Sequence, residues 1–216
     1  MKMGCAGCLV LVIGLMFLAV VSMGFLFLSG NIFEEPRFEA LEWSRADASS
    51  ARYKLAEIVQ RDAVNSGRQD PMILSEREVN ALVARHLAET AGLRFDPFAI
   101  RLIQGQFVLQ GRTVIGSLLQ GPPFAQLAPQ LPAAQLNRPL WITARGYIAL
   151  EPGEPGGKPG RARVTLTEFT LGNQPVGTWP FSIVMGPTGS GLLKWPVPGT
   201  VRDIEIEERR VVIRTR

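Results

Sequence analysis

The sequence predicts an α+β protein: an N-terminal transmembrane helix, then helices packed on an antiparallel β-sheet. Three observations carry this expectation. Residues Leu9 to Leu28 are apolar and uncharged throughout. From about Ala46 to Gly92 the apolar residues recur at helical spacing, and from Phe98 onward they alternate, the period of a strand. The expected organisation is a membrane anchor over residues 1–30 and an extracytoplasmic α+β domain over residues 31–216.

The Leu9–Leu28 run (LVLVIGLMFLAVVSMGFLFL) reaches about 30 Å as a helix, the thickness of a bilayer's hydrocarbon core. In lipid the backbone must satisfy its own polar groups, which requires a helix. The run's one hydroxyl, Ser22, can bond back to the preceding turn. A cleaved secretory signal is the competing reading. The run exceeds the apolar region of such signals, usually about 7–15 residues, and its small-x-small site, Ser22-Met23-Gly24, lies inside it. An uncleaved anchor is therefore favoured. Lys2 and the α-amino group precede the run, while Glu34, Glu35, Arg37 and Glu39 follow it. This charge bias places the N-terminus in the cytoplasm. No later stretch is apolar enough to span, so everything after Gly30 lies on one side, outside the cytoplasm.

Cys5 and Cys8, the two cysteines, form a C-x-x-C before the run. A redox dithiol would need a surrounding βαβ pattern and a zinc site a second ligand pair, and the sequence provides neither. Inert or acylated juxtamembrane thiols are the simpler reading. The remaining domain then has no disulfide of its own.

The 186 residues after Gly30 suffice for one well-buried domain. They carry 22 bases and 19 acids, a net charge of +3. With few aromatics and arginines scattered among acids, no nucleic-acid footprint is expected. The weak basic bias is compatible with anionic headgroups.

The first expected helix runs from about Ala46 to Asn65, with Leu55, Ile58, Val59 and Val64 as a broken apolar stripe and Gly67 after it. The second is better signalled. Ser75 with Glu78 makes a capping box, Val79, Leu82, Val83 and Leu87 form the stripe, and Gly92 supplies a C-terminal stop. His86, the lone histidine, lies near that stripe and reads as a packing residue. Glu76, Arg77, Arg85 and Glu89 read as the solvated face.

Phe98, Ile100 and Leu102 alternate in a first strand, Gln104-Gly105 marks a turn, and Phe107 to Ile115 supplies a second strand. The Pro-, Gln- and Leu-rich stretch from Gly121 to Pro139 allows a short helical turn between prolines, with Phe124, Leu127 and Leu131 as its apolar residues. Leu140 to Leu150 resumes strand structure, with Trp141 and Tyr147 on one face and Ile142, Ile148 and Leu150 on the other. Glu151 to Gly160 (EPGEPGGKPG) reads as a hairpin tip. In Arg163 to Leu171 the alternation fails around Glu168-Phe169, which predicts a bulge or a bend rather than a site for Glu168.

Gly186 to Gly191 (GPTGSG) has the glycine spacing of a phosphate-binding loop. Leu192 and Leu193 stand where that loop needs Lys and Ser or Thr, so a nucleotide is not expected. Val201 to Arg216 predicts a closing hairpin with Glu207–Arg210 as a four-residue loop. Ile206 should face Val211, Ile204 should face Ile213, and Asp203 should meet Arg214. Asp203, Glu205 and Glu207 alternate with isoleucines as a solvated strand face does.

No H-E-x-x-H, G-x-S-x-G, S-x-x-K or metal-ligand cysteine cluster occurs. No residue is assigned to catalysis, to a cofactor or to a metal. A hydrolase would have to use His86 or an unrecognised carboxylate pair. ILSEREVNALV (Ile73 to Val83) resembles the "threonine or serine, acidic, then Asn-Ala-Leu" opening of YpmS-like and LmeA-like cell-envelope proteins. WPVPGTVRDIEIEERRVVIR (Trp195 to Arg214) is similar to the Pro-Gly, paired-strand ending of the latter. The resemblance implies an extracytoplasmic module with a curved antiparallel sheet packed on helices, of a kind that could hold a lipid. It carries over no catalytic residue. The expected function is that of a single-pass anchored, non-catalytic binding module of the cell envelope. Its partners would be the bilayer, through Leu9 to Leu28, and a lipid or an envelope protein. An accessory subunit of an envelope complex is the alternative, and an envelope hydrolase the third reading.

Overall fold

The computed structural model describes residues 22–24, 31–64, 70–90, 92–119, 128–151, 160–176 and 194–215. Most of the apolar Leu9–Leu28 run, Cys5 and Cys8 lie outside them. Residues 22–24 are helical. Among the described residues no helix is long and apolar enough to cross a membrane.

Among the described residues the architecture is α+β, with two antiparallel sheets rather than one. Helix α1 (Arg45–Val64) precedes strand β1 (Met72–Ser75), which runs directly into helix α2 (Glu76–Thr90). Strands β2 (Phe98–Ile103) and β3 (Gln106–Val114) follow, then the one-turn helices α3 (Ile115–Leu118) and α4 (Ala133–Leu136). The long strands β4 (Pro139–Glu151) and β5 (Gly160–Leu171) come next, with short β6 (Gln174–Pro175) and β7 (Lys194–Val197). The chain closes with β8 (Val201–Glu207) and β9 (Arg210–Thr215). The larger sheet has the order β2-β3-β4-β5-β6, with β7 also on β5; the smaller is β1-β9-β8.

Both long helices start at side-chain caps. The Ser44 and Asp47 side chains each accept the other residue's N–H, and α2 begins at the predicted Ser75–Glu78 box. Gly92, at φ +66°, ends α2, and the Leu93 N–H reaches back to the Leu87 carbonyl at 3.1 Å. A left-handed C-cap residue permits this closure, and glycine adopts it without strain. Gly105, at φ +76°, makes the predicted turn between β2 and β3.

The C-terminal hairpin adopts the expected register: Ile206 opposite Val211, Ile204 opposite Ile213, Asp203 opposite Arg214. The β5 irregularity is also where alternation fails. Arg145 pairs with Glu168 and Gly146 with Leu166, so Thr167 is the extra residue, and its Oγ1 donates to the Arg145 carbonyl. The alanine that Gly146 excludes would press its Cβ into the Thr165 carbonyl and the Phe107 ring.

The main core lies between the two helices, the small sheet and one face of the large sheet. Ala51 and Ile58 of α1, Met72 and Leu74 of β1, Phe98, Ile100 and Leu102 of β2, and Ile206, Val211 and Ile213 of the hairpin form it. Val79, Leu82, Val83 and Leu87 of α2 pack on this cluster as their spacing predicts. The α1 stripe is narrower than expected, because Val59 is exposed and fully buried Ala51 takes its share of the contact. Phe38 covers Trp141, whereas Tyr147 on the same strand is exposed.

Candidate functional site

Two polar assemblies organise the domain, one at the edge of the large sheet and one across its face. The first grows from the α2 capping box. The box turns the Glu78 carboxylate toward α1, where Lys54 Nζ lies 2.8 Å from one oxygen and 2.9 Å from the other, and Ser50 Oγ also donates to it. Glu78 is 5% exposed. Burial pushes its pKa up, but hydrogen bonds from Lys54, Ser50 and the Ser75 N–H outweigh burial and hold the carboxyl at about 2. Lys54 also donates to the Ile73 carbonyl, so one ammonium ties α1 to both β1 and α2.

The same helix closes a sheet edge. Strand β2 is the end strand of the large sheet, and its outward N–H and C=O groups need partners. Asn80, fully buried, accepts from the Ile100 N–H at 2.6 Å and donates to the Ile100 carbonyl at 2.7 Å. Glu76 accepts from the Leu102 N–H at 2.7 Å, and the Arg209 N–H donates to the Leu102 carbonyl at 3.1 Å. Glu76, expected on the solvated face with Arg77, Arg85 and Glu89, is therefore half-buried and engaged. Arg85 and Glu89 do form an exposed pair.

The second assembly is a strap, residues 31–44, with no strand and one short 3-10 turn at Asn31–Phe33. Ile32, 2% exposed, packs on Ile115 and Leu140, and Arg138 stacks over Phe33. The Glu34 carboxylate accepts from Asn173 in the β5–β6 turn. Phe38 packs on Trp141 of β4 at 5.0 Å, and Gln110 of β3 donates to the Arg37 carbonyl. Glu39 pairs with Arg101 of β2, and Arg77 of α2 donates to the Glu42 carbonyl. The strap thus crosses the large sheet strand by strand and delivers the chain to α1.

The residues considered for chemistry are scattered. His86 is half-buried, with its ring against Trp195 and Nδ1 3.3 Å from Thr90 Oγ1. Glu168 is exposed and faces Arg145 at 3.6 Å. Asp203 and Glu205 both approach Arg214, and Glu207 pairs with Arg210. Residues 186–191 lie outside the described residues. Among the described residues no group of three or more His, Cys, Asp or Glu side chains is placed to hold a metal ion. The roles of Asn80 and Glu76 as edge partners were not anticipated; the only local signal was a buried-face position occupied by an amide. The chain matches no protein-family model, no curated protein and no solved structure.

Proposed function

We propose that this chain is a single-pass, membrane-anchored cell-envelope protein whose α+β domain lies outside the cytoplasm and acts by binding. The observation that carries the reading is the uncharged Leu9–Leu28 run, followed within four residues by a side chain locked into a folded domain, Ile32. The short resemblances at Ile73–Val83 and Trp195–Arg214 to YpmS-like and LmeA-like proteins agree with it. A lipid is the favoured ligand. Support comes from a second apolar cluster, Ile142, Ala144 and Phe169, ringed by Leu109, Leu118, Leu166, Leu171 and Val176, which are only partly buried. The Thr167 bulge supports the curved form of the sheet, since a bulge bends its strand.

Membrane residence is tested by expressing the full chain and a chain lacking residues 1–30 in bacterial cells. The full chain should resist carbonate extraction and be digested by protease added outside the inner membrane, and the truncated one should be released. Digestion only after cell lysis would overturn the orientation. Native mass spectrometry of the detergent-extracted protein should show a retained lipid. A lipid-free protein that crosslinks at fixed stoichiometry to another envelope protein would instead favour an accessory subunit.

A further inference from the structure

We propose that the strap fixes the domain in one orientation on its own membrane, with the end formed by α3, α4 and Arg138 lying against the lipid headgroups. The inference rests on Leu9–Leu28 being a membrane span and adds which face of the domain meets the bilayer.

The argument begins with reach. Four residue steps separate Leu28 from Ile32, and a fully extended chain covers at most about 14 Å in that distance. The headgroup layer occupies roughly 5–7 Å on each side of the hydrocarbon core. Ile32 is therefore held at, or just above, the headgroups. It is not the start of a free linker, because it is 2% exposed against Ile115 of α3 and Leu140 at the start of β4. The next residues are fixed in turn by Arg138, Asn173, Trp141, Gln110, Arg101 and Arg77. A tether this short, joined to a strap held at successive strands, leaves the domain little freedom to tumble above the bilayer.

The membrane-side end is thereby identified. Strand β3 runs nine residues from the Gln104–Gly105 turn to α3, roughly 27 Å at strand rise, and α4 packs beside α3. The β8–β9 turn at Glu208–Arg209 lies at the far end, because the Arg209 N–H bonds to the Leu102 carbonyl. Charge at this end is mixed, so the placement rests on reach. The arginines at this end are Arg112, opposite Trp141, Arg138, and Arg94, whose carbonyl accepts from Thr113; Arg101 and Arg145 both pair with Val108, further toward the opposite end. The carboxylates near that end are exposed Asp96, whose N–H bonds to the Arg112 carbonyl, and from the strap Glu34, which Asn173 engages, and Glu35. Exposed Ala133, Ala134 and Gln135 of α4 present a small, uncharged surface that can approach headgroups without desolvating a carboxylate.

The test uses the full chain with Cys5→Ser and Cys8→Ser, a fluorophore on either Gln135→Cys or Glu208→Cys, and phosphatidylcholine–phosphatidylglycerol vesicles containing a nitroxide-headgroup lipid. The protein should float with the vesicles, and the Gln135 label should be quenched several-fold more than the Glu208 label. A ten-residue Gly/Ser insertion between Gly30 and Asn31 should bring the two labels close to parity. Flotation with equal quenching, or a difference that survives the insertion unchanged, overturns the orientation while leaving the anchor standing. Failure to float overturns the anchor and, with it, this inference.

Discussion

The Asn80 side chain gives Ile100 the two hydrogen bonds that a neighbouring strand would otherwise supply, one in each direction, at 2.6 and 2.7 Å. An exposed row of strand N–H and C=O groups is a template for pairing with another chain. Here an amide on a helix occupies that template. A leucine of similar volume would leave two buried backbone groups unsatisfied, at about 1–3 kcal/mol each. Asn80→Leu should therefore lower unfolding stability by roughly 2–5 kcal/mol in urea titrations followed by tryptophan fluorescence. A change below about 1 kcal/mol would mean that the edge does not need this partner.

Glu76 makes the lesser contact, a single acceptor for the Leu102 N–H. Glu76→Ala should cost about 1–2 kcal/mol. More specifically, it should accelerate amide hydrogen exchange at Leu102 while leaving exchange in β5 governed by global unfolding. Uniform acceleration throughout the large sheet would argue against a local edge effect.

Glu78 makes stability depend on acid pH. Its carboxyl is held near 2 in the folded chain against an ordinary value of 4.5, so the folded state prefers the ionised form. That stabilisation is complete above the unfolded value and is lost as pH falls from about 5 toward 2; it amounts to at most about 3 kcal/mol. Glu78→Gln should flatten the loss of stability across this window and lower stability at pH 7. An unchanged pH profile would remove Glu78 from the account of acid sensitivity.

Arg209 holds φ +61° in the turn between β8 and β9, a conformation that strains a side chain. Its N–H contact to Leu102 is a backbone bond and survives substitution. Arg209→Gly should be neutral or stabilising by up to about 1 kcal/mol, the relief of strain being partly offset by a more flexible unfolded chain. Gly146→Ala should act in the opposite sense. Its Cβ would meet backbone and an aromatic ring, and overpacking of this kind costs about 1–3 kcal/mol. Thermal unfolding of both variants decides the pair of signs.

The legible parts of the fold are those whose partners lie close in the sequence. The Ser75–Glu78 cap spans three residues, Gly92 and Gly105 stand where the backbone turns left-handed, and the Ile204, Ile206, Val211 and Ile213 register follows from a tight turn between alternating strands. Loss of alternation at Glu168-Phe169 located the bulge because an extra residue shifts every following side chain by one face. The hidden parts depend on distant partners. Four-residue β1 carries too little pattern to announce a strand, and its partner, β9, lies at the other end of the domain. Asn80 and Glu76 look like any polar helix residues until β2 is placed beside them. The strap has neither helical nor strand period, since its contacts are made one at a time to elements from across the chain.

By itself, the sequence determined the α+β class, both long helices, the hairpins and the apolar run on which membrane residence is proposed, because periodicity and caps are local physics. Only the tertiary structure decided that the strands divide into two sheets, that Glu76 and Asn80 seal an edge rather than facing water, and that residues 31–44 bind the large sheet. Those outcomes turn on which unsatisfied backbone group or apolar face a distant residue can reach, and no local pattern encodes that distance.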